Sequence, residues 1–506
     1  MIKGAKTRIC EKDLTDKDYK FHCAMALLVC LILVCSPASW AQPEVTSPAN
    51  KLFIEHATIL NFTDSDADVL IDQSVLIEDG VISRIDSSET FAPPANAEHI
   101  DASGMYLLPG LIDMHVHIWD APELLAYLSY GITTVRNASG IPYLLNFKEQ
   151  IESGTLEGPT LTTTGPILNG NGPNFQINHK LIETAQQARE EVQAEYEQGF
   201  SEVKVYSNLN REAYEAIRDE AKKLGMTIMG HTPEGFRDEG IPFDKPFRIQ
   251  FDELLDDGFK TFEHIESIVW HALSDDMNEE RVRELARKIA ASGTSVDATL
   301  VAHHNLIMVA STQGEFLSRE GVDMLNPFVS LMEQESYDFW ANQGVDTRAG
   351  YDAFYGRVLK IFIEEGVRVV TGTDSGIFIN IPGQSLIDEL GLFISAGVSP
   401  YESLQAATVN GAQVLGMENT LGQVRESFIA DLVLVASDPR DDVTVLASPA
   451  GVIKRGRWYD RSGIQALRQR AAQTSLERSQ ACVYRALAMQ QILPLEQPWP
   501  ECEYLE

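Results

Sequence analysis

The chain has 506 residues, 44% of them hydrophobic, and carries a formal net charge of -34. That length is enough for about three ordinary domains, or for one large α/β barrel with additions, and the apolar fraction supports a sizeable core. A surface this acidic repels phosphate backbones, which excludes nucleic acid as a partner.

Residues 1–41 read as a secretion signal. Lys3, Lys6, Arg8, Lys12, Lys17 and Lys20 precede an apolar stretch at 25–34, and Ser39-Trp40-Ala41 supplies a small-x-small cleavage pattern. An exported protein, periplasmic or extracellular, is therefore expected. The apolar stretch is short for a membrane span, so no stable span is expected after cleavage, although failed cleavage would leave an anchor. Val34 is larger than the residue that lipoprotein sites prefer, which argues against a lipid anchor at Cys35, and Met25 offers an alternative start. Cys10, Cys23, Cys30 and Cys35 fall in this segment. Cys482 and Cys502 remain, either as one disulfide closing the C-terminal tail in an oxidising compartment or as two unrelated thiols.

Residues 51–101 alternate apolar and polar positions in short pieces, with Glu78-Asp79-Gly80 as a hairpin turn. Residues 431–435 and 452–459 have the same character. A small β-sandwich built from both chain ends, 51–107 and 416–460, is expected. Between them, over 108–415, strands at 108–117, 132–137, 160–166, 202–207, 226–232, 260–266, 294–301 and 367–374 alternate with amphipathic helices such as 181–198, 211–224, 278–291 and 351–365. This is the pattern of an α/β protein with a (β/α)8 TIM barrel. An open doubly wound sheet is the alternative, but no Gly-x-Gly-x-x-Gly follows an early strand. The interval 303–350 is too long for a simple crossover and is expected to be an inserted helical region over the barrel mouth. Residues 386–396 and 401–414 read as helices, with Gly416 as a stop. Residues 461–506 read as a C-terminal helical tail with a Pro-rich end and a packing role.

Barrel enzymes place their chemistry at the C-terminal ends of the strands. Residues 107–120 read LLPGLIDMHVHIWD, and His115 and His117, two apart on a strand, leave the same face. Alone, such a pair is as often two hydrogen-bonded surface histidines. Lys204, His231 and His264 stand at comparable places on later strands, and the eighth ends Thr371-Gly372-Thr373-Asp374-Ser375-Gly376.

This set, with LLPGLIDMHVH ahead of it and GQVRESFIADLVLV behind, resembles the amidohydrolase superfamily of metal-dependent hydrolases over about residues 51–460. Within it the chain is most similar to the imidazolonepropionase-related branch that includes Xaa-Pro dipeptidases and other dipeptidases with a carboxylated lysine. Val203-Lys204-Val205-Tyr206-Ser207 matches that branch's lysine strand, and Gly131-Ile132-Thr133-Thr134-Val135-Arg136 its second strand. The resemblance implies two divalent metal ions, with zinc expected, and a carbamate on Lys204. Imidazolonepropionase itself is expected to be mononuclear, so Lys204 counts against that activity. Zinc accepts imidazole nitrogen and carboxylate oxygen. His115, His117 and Asp374 would make one site, His231 and His264 the other, with modified Lys204 between them, because an ammonium cannot ligate. A structural Lys204 paired with Glu202 or Glu263, beside a single metal, is the alternative.

Asp374 is the expected catalytic group, taking a proton from the attacking water and passing it to the departing amine; the alternative is a capping residue before Ser375-Gly376. Tyr206, Arg136, His303 and His304 are the substrate-binding candidates, with Arg136 otherwise a barrel salt bridge and Tyr206 a core phenol. Two departures stand out. The loop Gly165-Pro166-Ile167-Leu168-Asn169-Gly170-Asn171-Gly172-Pro173 lacks the histidine many relatives carry, and Asn137 replaces their Asp. The expected reaction is attack by a metal-activated hydroxide on the amide bond of a dipeptide or N-acyl amino acid. Lactone or ester hydrolysis on the same site is the alternative, and a metal-stabilised binding protein without catalysis is the alternative from another class. A small-molecule substrate is implied, and homo-oligomerisation is left open.

Overall fold

The computed structural model describes residues 51–64, 68–172, 176, 178–235, 247–494 and 500–505. The signal segment and its four cysteines lie outside the described residues. Five strands open the chain: β1 (Lys51–Leu60), β2 (Val69–Glu78), β3 (Val81–Ser87), β4 (Glu98–Asp101) and β5 (Tyr106–Pro109). The β2–β3 hairpin turns at Asp79 (φ 49°) and Gly80 (φ 80°), both left-handed, as a tight two-residue turn requires. A Cβ at Gly80 would lie 2.9 Å from Arg455 O, so this turn also lets the two chain ends meet.

After Gly110, where an added Cβ would strike Thr133, the barrel strands begin. They are β6 (Leu111–Val116), β7 (Ile132–Asn137), β8 (Thr160–Thr163), β9 (Ile167–Asn169), β10 (His179–Leu181), β11 (Glu202–Val205), β12 (Thr227–Gly230), β13 (Phe259–Glu263), β14 (Ser295–Asp297) and β15 (Val369–Val370). The strands β16 (Leu432–Val435), β17 (Gly451–Lys454) and β18 (Arg457–Asp460) follow.

One parallel sheet runs β6-β7-β8 and another β10-β9-β11-β12-β13-β14-β15. Hydrogen bonds join them at both edges. Gly165 N donates to Glu202 O (3.1 Å), and on the other side Met114 N donates to Thr371 O (2.8 Å) and Asp374 N to His115 O (2.9 Å). The strand ends therefore face one common space, in an architecture of the α/β-barrel type. Helices lie between strands with the expected punctuation. Asn210 caps the helix Arg211–Leu224 by accepting Ala213 N, and left-handed Gly225 (φ 73°) ends it.

The differences from the expected elements have local causes. The strand expected at 294–301 stops at Asp297 because Thr299 (φ 44°) turns into the helix Leu300–Ser311. The strand expected at 367–374 shrinks to β15 because the chain from Thr371 onward bonds to β6 in a looser path. The glycine-rich loop after β8 carries two unexpected short strands, β9 and β10. The interval 303–350 holds short helices, including Pro327–Met332 and Gln334–Ala341. Both chain ends do come together, but in one continuous eight-stranded sheet, β18-β17-β16-β5-β1-β2-β3 with β4 beside β1. No helix among the described residues is long and apolar enough to cross a membrane.

The tail forms the helices Arg461–Ala471 and Leu476–Met489, and Cys482 is disulfide-bonded to Cys502. It does more than pack. Buried Asp120, the last residue of the LLPGLIDMHVHIWD stretch, accepts from Arg478 Nε (2.8 Å) and Nη2 (2.7 Å), from Tyr504 Oη (2.5 Å) and from Ser475 N (3.2 Å).

Glu195, on the helix Ala185–Gln198, is wholly buried, and neither carboxyl oxygen has a hydrogen-bond partner among the described residues. Burial raises its pKa well above the usual carboxylate value. The folded state then keeps a proton that the unfolded chain loses near pH 4.5. Stability is therefore lost as pH rises above that point, by about 1.4 kcal/mol per pH unit until the folded group itself ionises. Glu195→Gln removes this slope. Thermal unfolding should show the variant more stable than wild type at pH 8 and nearly equal at pH 5; a gap independent of pH would refute the assignment.

Candidate metal centre

The side chains of five strand ends converge. His115 lies on β6 and His117 just beyond it, and the period of two aims both inward. Lys204 lies on β11, His231 follows β12, His264 follows β13, and Asp374 follows β15. His264 (φ 67°) and Asp374 (φ 56°) both have left-handed backbones, uncommon outside glycine and frequent at functional turns. All six line one cavity of about 420 Å³. Asp374 Oδ1 lies 2.9 Å from His117 Nε2 and 3.1 Å from His115 Nε2, and Lys204 Nζ lies 3.1 Å from that same His115 Nε2. The rings of His264 and His231 stand 4.4 Å apart, and those of His264 and His115 4.7 Å.

In three of the four histidines the Nδ1 nitrogen is held from behind. His115 Nδ1 pairs with Glu263 Oε2 (2.5 Å), His117 Nδ1 with Ser139 Oγ (2.7 Å) and His264 Nδ1 with Thr299 Oγ1 (2.6 Å). Such partners fix the ring and turn Nε2 toward the centre, as around ligating histidines. Burial depresses His117 to about 4 and His264 to about 3, and drives His231 well below the usual imidazole value, with His264 and Lys204 adding to the effect. These rings are neutral at pH 7, the form that binds metals. Against the upward push of burial, His115 and His264 hold the Asp374 carboxyl well below its usual range. Burial brings Lys204 down to about 8.

His231 Nδ1 is enclosed without a hydrogen-bond partner among the described residues. An orphaned ring nitrogen beside a carboxylate and three other histidines fits a divalent cation, and the donor set fits zinc. His115, Glu263 and Asp297 also lie close enough to share an ion. There, however, Arg136 already supplies the positive charge: its Nη2 donates to Glu263 Oε1 (3.0 Å) and Asp297 Oδ2 (3.4 Å).

Arg136 thus takes the barrel salt bridge of its two expected roles, not that of a substrate residue. It is fully buried beneath the ligand cluster, outside the cavity lining, where it also donates to Met114 O (2.7 Å). His303 lines the cavity but His304 does not, because adjacent helical residues point about 100° apart; His304 pairs with Asp352 (2.9 Å) instead. Tyr206 lines the cavity with its ring 3.9 Å from that of His231. Neither Glu202 nor Glu263 forms a contact ion pair with Lys204, although the Glu263 and Asp374 charges both act on its amine; Glu263 bonds to His115 and Arg136.

Several lining residues escaped sequence reasoning: Arg348, Trp270, Glu234, Glu266 and Phe378. They carry no periodic signal. Nor is the region after β8 without histidine, since His179 on β10 brings its ring within 4.7 Å of Tyr206.

A family model described as "Amidohydrolase family" matches residues 106–459. An ochratoxinase of Aspergillus niger is 32% identical over 107 residues, but this match spans only 20% of the chain and 21% of that relative's length. An imidazolonepropionase of Brevibacillus brevis is 24% identical over 400 residues, covering 72% of this chain and 84% of the relative. Among solved structures, a Xaa-Pro dipeptidase with bound methionine in its active site superposes with a TM-score of 0.61 at 20% identity, over 81% of this chain and 100% of that one. At that identity the likeness is one of fold.

Proposed function

Because the chain belongs to the amidohydrolase family, whose members hydrolyse carbon–nitrogen bonds with divalent metals, we propose that it is an exported binuclear-metal hydrolase of dipeptides or N-acyl amino acids. One observation carries the reading: six candidate ligands from five separate strand ends line a single cavity. His115, His117 and Asp374 would hold one ion, and His231 and His264 the other. Lys204, with some neutral amine near pH 7 because burial lowers it to about 8, could add carbon dioxide with loss of a proton, and the resulting carbamate would offer oxygen donors in the same cavity. When bound, the ions, zinc by donor type, supply Lewis acidity toward the scissile carbonyl and lower the pKa of the attacking water.

The protein's own groups do the rest. Asp374, ionised and 2.9 Å from His117 Nε2, accepts the water's proton on a carboxylate oxygen and delivers it to the departing amine nitrogen. Tyr206, beside His231, is within the cavity to orient the carbonyl. Ile167, Ala302, Leu306 and Phe378 contribute apolar surface to the cavity lining, suited to a substrate side chain. Charged residues at the N-terminal segment and the Cys482–Cys502 disulfide support export.

Arg348, half-exposed in the same cavity, has Asp275 (3.4 Å) as its hydrogen-bonding partner and stacks over Tyr351 at 4.4 Å. A planar guanidinium so placed suits a substrate carboxylate. Arg348→Leu should raise KM about ten- to hundredfold for a free-acid substrate and leave the corresponding C-terminal amide unaffected, by comparison of the paired substrates. Equal losses on both would remove this role.

The test of the whole reading is a panel of dipeptides, N-acyl amino acids and lactones offered to metal-reconstituted protein. Amide cleavage with two metal equivalents is expected. Two bound equivalents and no cleavage of any panel member would make the chain a binding protein.

A further inference from the structure

The loop that follows Asp374 is held in a conformation its own residues disfavour. Phe378 (φ 50°) and Ile379 (φ 64°) are consecutive non-glycine residues in the left-handed region, and for a β-branched isoleucine this is a genuine outlier. Such strain persists only where the surroundings over-determine it. Part of the restraint is internal. Gly376 N donates to Asn380 O (2.9 Å), Asn380 N to Ile377 O (2.9 Å), and Asn380 Nδ2 reaches back to the carbonyl of Asp374 (3.3 Å). The loop is thus tied to the residue that carries the chemistry, and its Ile377 and Phe378 line the cavity beside Asp374.

The rest of the restraint comes from the inserted region. Phe378 N donates to Glu333 Oε2 (2.8 Å), and Ile379 O accepts from Arg319 Nη2 (2.5 Å). The strained pair is therefore gripped at one residue's donor and the next residue's acceptor by two side chains, a carboxyl oxygen and a guanidinium. Each grip is itself braced. Tyr337 Oη donates to the same Glu333 oxygen (2.7 Å), and the Arg319 guanidinium lies 4.1 Å over the Phe316 ring. The Arg319 bond is charge-assisted, and such hydrogen bonds are about twice as strong as neutral ones. Neither residue belongs to the strand–helix repeat, so the barrel does not need them for its own closure.

We propose that Glu333 and Arg319 are positioning residues. They clamp the strained loop so that Asp374 keeps its approach to His117 and Phe378 keeps its place in the cavity wall, which couples the insertion to turnover and to substrate fit. The kinetic part of this inference rests on the function proposed above. The structural part does not.

The test uses the full-length, metal-loaded protein with Glu333→Ala, Glu333→Gln and Arg319→Ala. Glutamine keeps the acceptor oxygen for Phe378 N; alanine removes it. For Glu333→Ala and Arg319→Ala, metal content should stay at the wild-type level, while amide hydrogen exchange across 376–380 rises about tenfold or more with exchange in the helix Leu476–Met489 unchanged. Against a panel substrate kcat should fall about tenfold, with KM rising as well, and Glu333→Gln should recover to within about threefold of wild type. Exchange and kcat within about twofold of wild type in Glu333→Ala overturn the clamp, as does equal impairment of the alanine and glutamine variants. If wild-type protein hydrolyses no panel member, the proposed function fails, and the exchange measurements alone decide whether the clamp exists.

Discussion

Asp374→Asn is expected to lower kcat by about 10³- to 10⁴-fold, the upper range for loss of a general acid–base group. Asparagine matches aspartate in shape and tolerates the left-handed backbone at this position (φ 56°), so the fold around the site should survive. What disappears is the negative charge facing His117 Nε2 at 2.9 Å and His115 Nε2 at 3.1 Å, and with it the oxygen able to take and return a proton. Steady-state kinetics beside metal analysis separates the two duties of the group. At most one metal equivalent should be lost, because His115, His117, His231 and His264 remain, whereas turnover should nearly vanish. Hydrolysis at the wild-type rate would end the proton-shuttle assignment.

The second large effect is expected at Lys204. Its side chain is 1% exposed, and Nζ lies 3.1 Å from His115 Nε2, too far inside for a long-lived unpaired ammonium to be comfortable. Lys204→Met keeps the length and apolar stem of the side chain but cannot take up carbon dioxide. One metal equivalent should be lost and kcat should fall on the order of a hundredfold or more. Adding a small carboxylic acid, which can enter the vacated volume as an oxygen donor, should restore part of the activity. Mass analysis of intact wild-type protein under non-denaturing conditions should reveal one carbon dioxide that the variant lacks. Retention of both metals and of full turnover by Lys204→Met would show the lysine to be structural.

Which parts of the site were legible in the sequence follows from what sets each position. Strand ends are local: the alternation of side chains on β6 and the recurrence of His, Lys or Asp after apolar runs suffice to name His115, His117, Lys204, His231, His264 and Asp374, all of which line the cavity. Partners across strands are not local. Arg136 meets Glu263 across 127 residues, and nothing near either one shows that they pair, so in the sequence substrate anchor and barrel salt bridge stay equally open for this guanidinium, and the ion pairs with Glu263 and Asp297 decide between them. Conversely, Arg348 lies in an insertion without hydrophobic periodicity, where sequence spacing carries no information about which residues turn toward the barrel. The helix Leu300–Ser311 illustrates a finer limit, since adjacent histidines could be assigned to the mouth only once the helix phase was known. Of the fold, the repeat of strands and helices was readable because periods of 2 and 3.6 differ; the merging of both chain ends into one sheet depends on pairings such as Leu432 with Pro109, which no local pattern encodes.

The grip of the tail on Asp120 ties two distant parts of the chain together. Asp120 ends the segment that supplies His115 and His117, yet its carboxylate is satisfied by Ser475, Arg478 and Tyr504. These groups stand 355 to 384 residues further along the chain. The backing of the segment that carries His115 and His117 is therefore complete only when Ser475, Arg478 and Tyr504 have docked on it, and cleavage of the chain ahead of Ser475 would leave a buried carboxylate without its cationic partner.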